Sequence, residues 1–439
     1  MPMSIPNREF ARRRQKLAGL MAESSIAVLP AAPERTRNRD VLHPYRQDSD
    51  FYYLTGFDEP DAVLVLIPGR EHGESVLFCK ERNPEKELWD GSIAGPEGAV
   101  EKYGMDDAFP IDDIDDILPG LLEGRSRVYY SMGRDAHFDQ RVMDWVKALK
   151  SKVRSGARPP GEFIALEHLL HDMRVYKSAA ELKEMERAGQ ISAEAHCRAM
   201  RRCKPGMKEY QLEAEIIHCF MDHGARSPAY PSIVGGGQNA CVLHYIENSA
   251  PLKEGDLVLI DAGCELNYYA ADITRTFPVN GRFSPEQKAL YELVLEAQEA
   301  AIRATRPGNH WNQPHEASVQ VLSQGLLDLG ILKGTLEEVI EKERYKPYFM
   351  HRVGHWLGMD VHDVGEYRVD GAWRLLEPGM VTTVEPGLYI PATATEVDEK
   401  WRGIGIRIED DVAVTKDGCR VMTEDVPKTV DDIEALMAS

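Results

Sequence analysis

Residues 254–263 read EGDLVLIDAG, and residues 378–387 read PGMVTTVEPG. The two align without a gap. Gly255 falls on Gly379 and Gly263 on Gly387, and an acid stands at the same place, Asp261 against Glu385. Each is an apolar run of strand length, bounded by glycines, that ends on a carboxylate. The match continues outward. Upstream, Leu243-His244 resembles Val361-His362; downstream, Asp272 in AADITRTF resembles Glu409 in IRIEDDV. Three elements in the same order predict an internal duplication. Each copy offers a histidine, a strand-end acid and a second acid on a following strand.

These residues carry a chemical consequence. Asp261 ends the strand LVLID, so its carboxylate enters a buried setting and needs a partner or a cation. Asp272 follows at a spacing that suits a hairpin through Glu265–Tyr268, which returns the second acid beside the first. In GIGIRIEDDV, period-two geometry sets Arg407 and Glu409 on the face opposite Ile404, Ile406 and Ile408. Glu385 precedes Pro-Gly, where a strand must turn. His351, His355 and His362 cluster in MHRVGHWLGMDVHDVG. Four carboxylates converging on one site repel one another, and two divalent cations resolve that. Oxygen-rich ligation with one imidazole suits Mn²⁺, with Zn²⁺, Co²⁺ or Fe²⁺ also compatible. Two such ions about 4 Å apart can polarise a carbonyl and clamp an oxyanion. Other chemistries fail. His351 and His355 have the i, i+4 spacing of a zincin helix, but Arg352 stands where the catalytic Glu belongs, and Gly354 and Gly358 weaken a helix there. No Gly-Lys-Ser/Thr follows Gly235-Gly236-Gly237, and no Gly-x-Ser-x-Gly occurs.

The rest of the chain sets bounds. At roughly 150 residues per domain, 439 residues predict two or three domains. Hydrophobic residues at 43% and charged residues at 28% exclude disorder and coiled coil. A net charge of −20 repels phosphate backbones and argues against nucleic-acid binding. No apolar run approaches a membrane span. The basic N-terminal stretch, with Arg12–Arg14, lacks an apolar core and a cleavage signal, and reads as a first amphipathic helix. Seven cysteines without a CxxC pair fit free thiols and a cytoplasmic location.

Residues 1–155 read as an α/β domain, with strands at Ser25–Pro30, Phe51–Thr55, Ala62–Pro68, Ser75–Cys79 and Arg127–Ser131 and helices at Asn7–Met21 and His137–Leu149. The aspartates of Met105–Leu118 read as a solvated surface. Residues 151–163, rich in Pro, Gly and charge, read as a linker. Residues 164–439 read as an α+β domain. Ser178 and Glu181 form a capping box for a helix through Arg202. Further helices carry Leu212, Ile216 and Phe220, then Leu290, Val294 and Ala297, then run from Pro314 to Leu329. Strands are expected at Leu257–Asp261, Ala270–Val279, Val381–Glu385 and Gly405–Val414.

The ordered motifs LHYIEN, VLIDAG, ADITRTFPVNG, HWLGMDVHDVG, TVEPGLY and GIRIEDDV resemble the M24 metallopeptidases of pita-bread fold. With NRDVLHPYRQDSDFYYLTGF in the first domain, the chain is most similar to their bacterial Xaa-Pro aminopeptidase (aminopeptidase P) branch. That resemblance implies a dinuclear exopeptidase releasing the residue before a proline in position two. Asp261 would bind one metal, Asp272 and Glu409 would bridge, and His355 and Glu385 would bind the other. His244, His351 and His362 match the family's non-ligand histidines around the scissile bond, with Glu385 shuttling a proton. Arg407 would orient a carboxylate, and Tyr230 would stand near the substrate. Arg352-Val353-Gly354 departs from the family's commoner Gly-Leu-Ser. The family also implies a homo-oligomer, dimer or tetramer, in which Trp89 would cap a neighbour's entrance, although packing or a surface position is the commoner fate of such an aromatic. Two rival functions remain: a prolidase restricted to Xaa-Pro dipeptides, and a pita-bread binding protein without catalysis.

Overall fold

The computed structural model describes residues 5–439, and backbone contacts divide the chain into two units, Met1–Met173 and Arg174–Ser439. In the first unit, Asn7–Leu20 is helical and buries Phe10 and Leu17. Its basic cluster is structural: Arg13 and Arg14 are buried and donate to the carbonyls of Tyr53 and Leu54 at 3.0 and 2.9 Å. Six strands form one sheet, ordered Asp107–Pro110, Ser75–Cys79, Val63–Leu66, Ser25–Pro30, Arg127–Tyr129 and Glu162–Ile164. Val63–Leu66 runs antiparallel to both neighbours, and the other pairs are parallel. Helices Ile114–Leu122 and Ala136–Ser151 cover it through Leu118, Val142 and Trp145.

Two expectations changed here. Phe51–Thr55, aromatic enough to read as a strand, lies in the helix Ser49–Thr55. Asp48 caps its start by accepting from Phe51 N, and Gly56 ends it at φ 64°, so local capping overrides β propensity. Residues 151–163 lie inside the first unit, because Glu162–Ile164 completes the sheet edge.

In the second unit, the four expected helices appear as Ala179–Arg202, Glu209–Asp222, Pro285–Ala304 and Gln313–Asp328. Their apolar faces and the sheets share one core that includes Ile191, Leu212, Val294, Leu322, Val258, Val384 and Ile406. The duplication is visible in the strand register. Leu257–Asp261 pairs antiparallel with Thr274–Pro278, setting Asp261 opposite Thr274. Val381–Val384 pairs antiparallel with Asp410–Val414, setting Val384 opposite Asp410. Each hairpin therefore holds one acid at the end of its first strand and another just before its second. The expected strands Ala270–Val279 and Gly405–Val414 are interrupted at those second acids. There the backbone leaves its own ladder: Asp272 N donates to Asp411 Oδ2 at 3.1 Å, and Glu409 N donates across to Thr274 O at 3.0 Å. Arg275, fully buried, ties the two halves by ion-pairing with Asp410 at 2.7 Å and donating to Glu409 O at 2.5 Å.

Candidate metal centre

Strand ends and loops deliver every side chain of the centre. The chain from Asp261 turns at Asn267 and Tyr268, both at positive φ, and Cys264–Leu266 pairs with Tyr269–Ala270, which brings Asp272 back beside Asp261. His355 arrives on an extended segment rather than a helix. Glu385 N donates to Val353 O at 2.7 Å and Thr383 N to His355 O at 3.0 Å, so residues 353–355 run along Val381–Glu385. Gly354 allows that approach: a Cβ there would stand 2.1 Å from Thr383 O.

The arrangement brings together Asp261, Asp272, His355, Glu385 and Glu409. Ligand atoms of Asp272, His355 and Glu409 lie within 4.8 Å of one another. His355 Nε2 is 3.4 Å from Asp272 Oδ2 and 3.6 Å from Glu385 Oε1. His355 Nδ1 lies 3.0 Å from Trp356 O. This contact occupies Nδ1–H, so Nε2 is the nitrogen that faces the carboxylates, the orientation a metal-binding imidazole requires. Thr274 Oγ1 donates to Glu409 Oε2 at 2.6 Å. Arg407 Nη2 is 2.5 Å from Asp261 Oδ2 and Nη1 is 2.9 Å from Tyr389 Oη. The Tyr230 hydroxyl reaches both Asp261, at 2.6 Å, and Asp272.

Such a cluster is short of positive charge. Asp261, Asp272 and Glu409 are buried, and Arg407 and protonated His355 are the cations beside them. Burial and then repulsion by Asp272, Glu385 and Asp261 push Glu409 well above the carboxylate range. Burial raises Asp272 as well, against its bond to His355. Burial lifts Glu385 to about 7, although His355 and Arg407 pull it down. Burial works against the charge on His355, but Asp272 and Glu385 outweigh it and hold the imidazole near 9. One phenol proton on Tyr230 cannot satisfy two carboxylates. Carboxylate oxygens and one imidazole nitrogen turned to the same point, with negative charge only partly offset, fit divalent cations, which would displace the Nε2 proton of His355.

Two of the remaining histidines, His351 and His362, lie beside this centre. His351 Nε2 is 2.8 Å from Tyr389 Oη, and its Nδ1 is 3.8 Å from Glu385 Oε2. Burial, helped by Arg407, lowers His351 to about 3, so it is neutral at pH 7. His362, exposed, sets its ring edge-on to His355 with centroids 4.4 Å apart, and its pKa is lowered by burial, His355 and His244. His244 is also exposed. Trp89 lies in the first unit, 88% exposed on the helix Pro84–Asp90. Three neighbours escaped the sequence reading. Thr274 had a signal, since Asp272 and Thr274 alternate on one strand face. Tyr389 and Thr383 became visible only with the register, which sets Gly387 against Arg407.

Removing metal should leave a protein whose stability falls as pH rises from 6.5 to 9. His355 holds its proton to about 9 when folded, against 6.5 as its ordinary value, so its contribution is full below 6.5 and is lost on passing 9. Glu385 adds the same sign up to about 7. His351, His196 and His315, lowered to about 3, about 4 and about 4, oppose this near pH 6.5, where their unfolded imidazoles still shed protons, and are neutral in both states above roughly pH 7.5, so the fall is read from there to 9. The His355 shift alone corresponds to on the order of 3 kcal/mol. Melting curves of chelator-treated protein test this, and a flat or rising melting temperature contradicts it.

Known proteins share this architecture. Residues 183–416 match the model of metallopeptidase family M24, and residues 10–129 match that of the aminopeptidase P N-terminal domain. The chain is 49% identical to the Xaa-Pro aminopeptidase of Escherichia coli over 99% of its own length and 98% of that protein. It superposes on Pseudomonas aeruginosa aminopeptidase PepP with a TM-score of 0.98 at 64% identity, covering 99% of each chain. A zinc-substituted E. coli aminopeptidase P in complex with product gives a TM-score of 0.96 at 48% identity, covering 99% of this chain and 98% of the other. Both halves of the duplicated acid pattern lie inside the matched region, and the chain belongs to metallopeptidase family M24, with an aminopeptidase P N-terminal domain ahead of the catalytic one.

Proposed function

We propose that this enzyme is a Xaa-Pro aminopeptidase, which releases the N-terminal residue of peptides with proline in second position. The observation that carries it is full-length identity of 49% to such an enzyme, joined to the five-residue cluster of Asp261, Asp272, His355, Glu385 and Glu409. Those five would hold two divalent ions, and their oxygen-rich set favours Mn²⁺ over Zn²⁺, Co²⁺ or Fe²⁺. When bound, the ions polarise the scissile carbonyl and lower the pKa of the attacking water.

The chain's own groups divide the remaining work. Glu385 takes a proton from the attacking water and returns it to the departing proline nitrogen. His351, neutral and hydrogen-bonded to Tyr389, stands beside Glu385 and steadies the developing oxyanion. His362 and His244 flank the scissile bond from the two repeats. Arg407 holds Asp261, and Tyr230 sits against the acids where the peptide's first residue enters.

The catalytic work falls to the second unit, Arg174–Ser439, which carries all five residues of the cluster. The seven free cysteines support a cytoplasmic setting. Leu88 and Trp89, 86% and 88% exposed, support association into a homo-oligomer. Metal-loaded protein should cleave Arg-Pro-Pro after Arg and should do so faster than it cleaves a plain Xaa-Pro dipeptide. Hydrolysis of the dipeptide alone would instead make it a prolidase. No hydrolysis with two metals bound would make it a binding protein.

A further inference from the structure

A second group of metal-ligating side chains lies away from the catalytic centre. Among the described residues, Glu194, Cys219 and His223 also bring one ligand atom each to within 4.8 Å of the others. Glu194 projects from the helix Ala179–Arg202. Cys219 lies in the last turn of the helix Glu209–Asp222, and His223 caps that helix. Cys219 and His223 are thus i, i+4 neighbours, on one side of the helix end.

We infer that these three side chains form a separate site for one thiophilic divalent ion, of the Zn²⁺ type. His223 Nδ1 lies 2.9 Å from Cys219 O, one of the helix's terminal carbonyls. That bond fixes the tautomer with Nδ1–H as donor and leaves Nε2 as a lone pair. Nε2 is 3.3 Å from Glu194 Oε2. Two ligands at 2.0–2.2 Å from a tetrahedral zinc lie roughly 3.3–3.6 Å apart, so the imidazole and the carboxylate already stand at coordination spacing. The Cys219 Sγ is 3.9 Å from Nδ1 of the same ring, and the three ligand atoms lie within 4.8 Å of one another. An ion pair between Glu194 and His223 with a capping bond explains two of the three residues. The thiol, which also meets Arg198, adds the third donor within reach of the other two.

The donor sets of the two sites differ. One sulfur, one nitrogen and one oxygen select Zn²⁺ or Co²⁺, whereas the catalytic set of four carboxylates and one imidazole suits harder ions. Burial pushes the Cys219 thiol up to about 11, so it does not ionise unaided at neutral pH. An arriving dication takes the thiolate, and the S–H proton leaves to solvent. The site would clamp two elements that support the catalytic acids. The helix of Glu194 carries Ser192, which accepts from Cys264 N, and His196, whose Nε2 is 2.9 Å from Ala262 O; Ala262 and Cys264 follow Asp261 closely in the chain. The chain after His223 runs to Tyr230, whose hydroxyl meets Asp261.

The test starts from protein whose catalytic sites are filled with Mn²⁺. Added Zn²⁺ should bind as one further equivalent per chain. Co²⁺ in its place should give a near-ultraviolet sulfur-to-cobalt charge-transfer band. Cys219→Ser should abolish the band. His223→Gln, at a half-exposed position, should weaken binding of the additional ion at least ~10-fold, since even outer-shell changes cost that much at metal sites. Both variants should keep two Mn²⁺ and peptidase activity. Absence of a sulfur-to-cobalt band in the natural protein overturns the site. So does an additional equivalent that persists unchanged in His223→Gln.

Discussion

Glu409→Gln should reduce peptidase activity to near background and shrink the drop in melting temperature that a chelator causes. Glu409 is the second acid of the second repeat, 2% exposed, with a ligand atom within 4.8 Å of those offered by Asp272 and His355. Asp272 is its counterpart in the first repeat. The strand registers carry both to the junction of the two hairpins, where a carboxylate can serve both ions at once. Glutamine nearly preserves the volume and can still accept the Thr274 hydroxyl, which donates to Glu409 at 2.6 Å. The fold should therefore survive, while one negative charge and half of the bridging capacity are lost. An ion that binds only the native state stabilises it by about 2.7 kcal/mol at a hundredfold excess over Kd. Losing affinity at both positions removes much of that term. The metal-free variant should in turn melt at or above the metal-free natural protein, because buried Glu409, pushed well above the carboxylate range, must take up a proton on folding and glutamine need not. Melting series with EDTA and with Mn²⁺, read beside metal content, check all three expectations. An unchanged chelator shift with two metals still bound removes Glu409 from the bridge.

Much of this centre is legible in the sequence because its residues come from strands, where period two and flanking glycines fix which side chains share a face. Asp261, Asp272, Glu385 and Glu409 follow from the aligned repeat alone, and Arg407 follows from alternation with the isoleucines. The strand interruptions at Asp272 and Glu409 were not legible. They depend on backbone bonds between repeats, such as Glu409 N to Thr274 O, and nothing local signals them. His355 came from the motif HWLGMDVHDVG and not from spacing: its i, i+4 relation to His351 suggests a helix, whereas the structure sets Gly354 in a close strand approach. Tyr389 stayed hidden because its hydroxyl reaches His351 and Arg407 from a strand that looked merely apolar. Phe51–Thr55 failed for a different reason. Its aromatic run favours a strand, but the Asp48 cap and Gly56 terminator decide so short a segment.

His362→Ala should lower kcat/KM by roughly 10²–10⁴, the usual loss when an oriented hydrogen-bond or proton partner is removed. His362 is exposed yet held firmly. Asp363, the next residue, is buried and bound by Arg174 at 2.5 Å and Lys177 at 2.9 Å, while its N–H donates to Trp356 O at 2.9 Å. That anchor fixes the backbone from which His362 packs edge-on against His355. Burial and the neighbouring His355 and His244 lower its pKa, so at neutral pH it offers one N–H donor and one lone pair. A neutral ring beside the scissile bond can hydrogen-bond the proline side of the peptide without adding charge to the centre. Alanine removes that group and leaves the Asp363 anchor in place. Metal content should stay near two per chain, because His355 and the four acids are untouched, and the melting temperature should move little, because an exposed ring is lost. Steady-state kinetics on Arg-Pro-Pro beside metal analysis separate the possibilities. Full activity in the variant, or metal lost in proportion to activity, places His362 outside substrate positioning and makes it a support for His355.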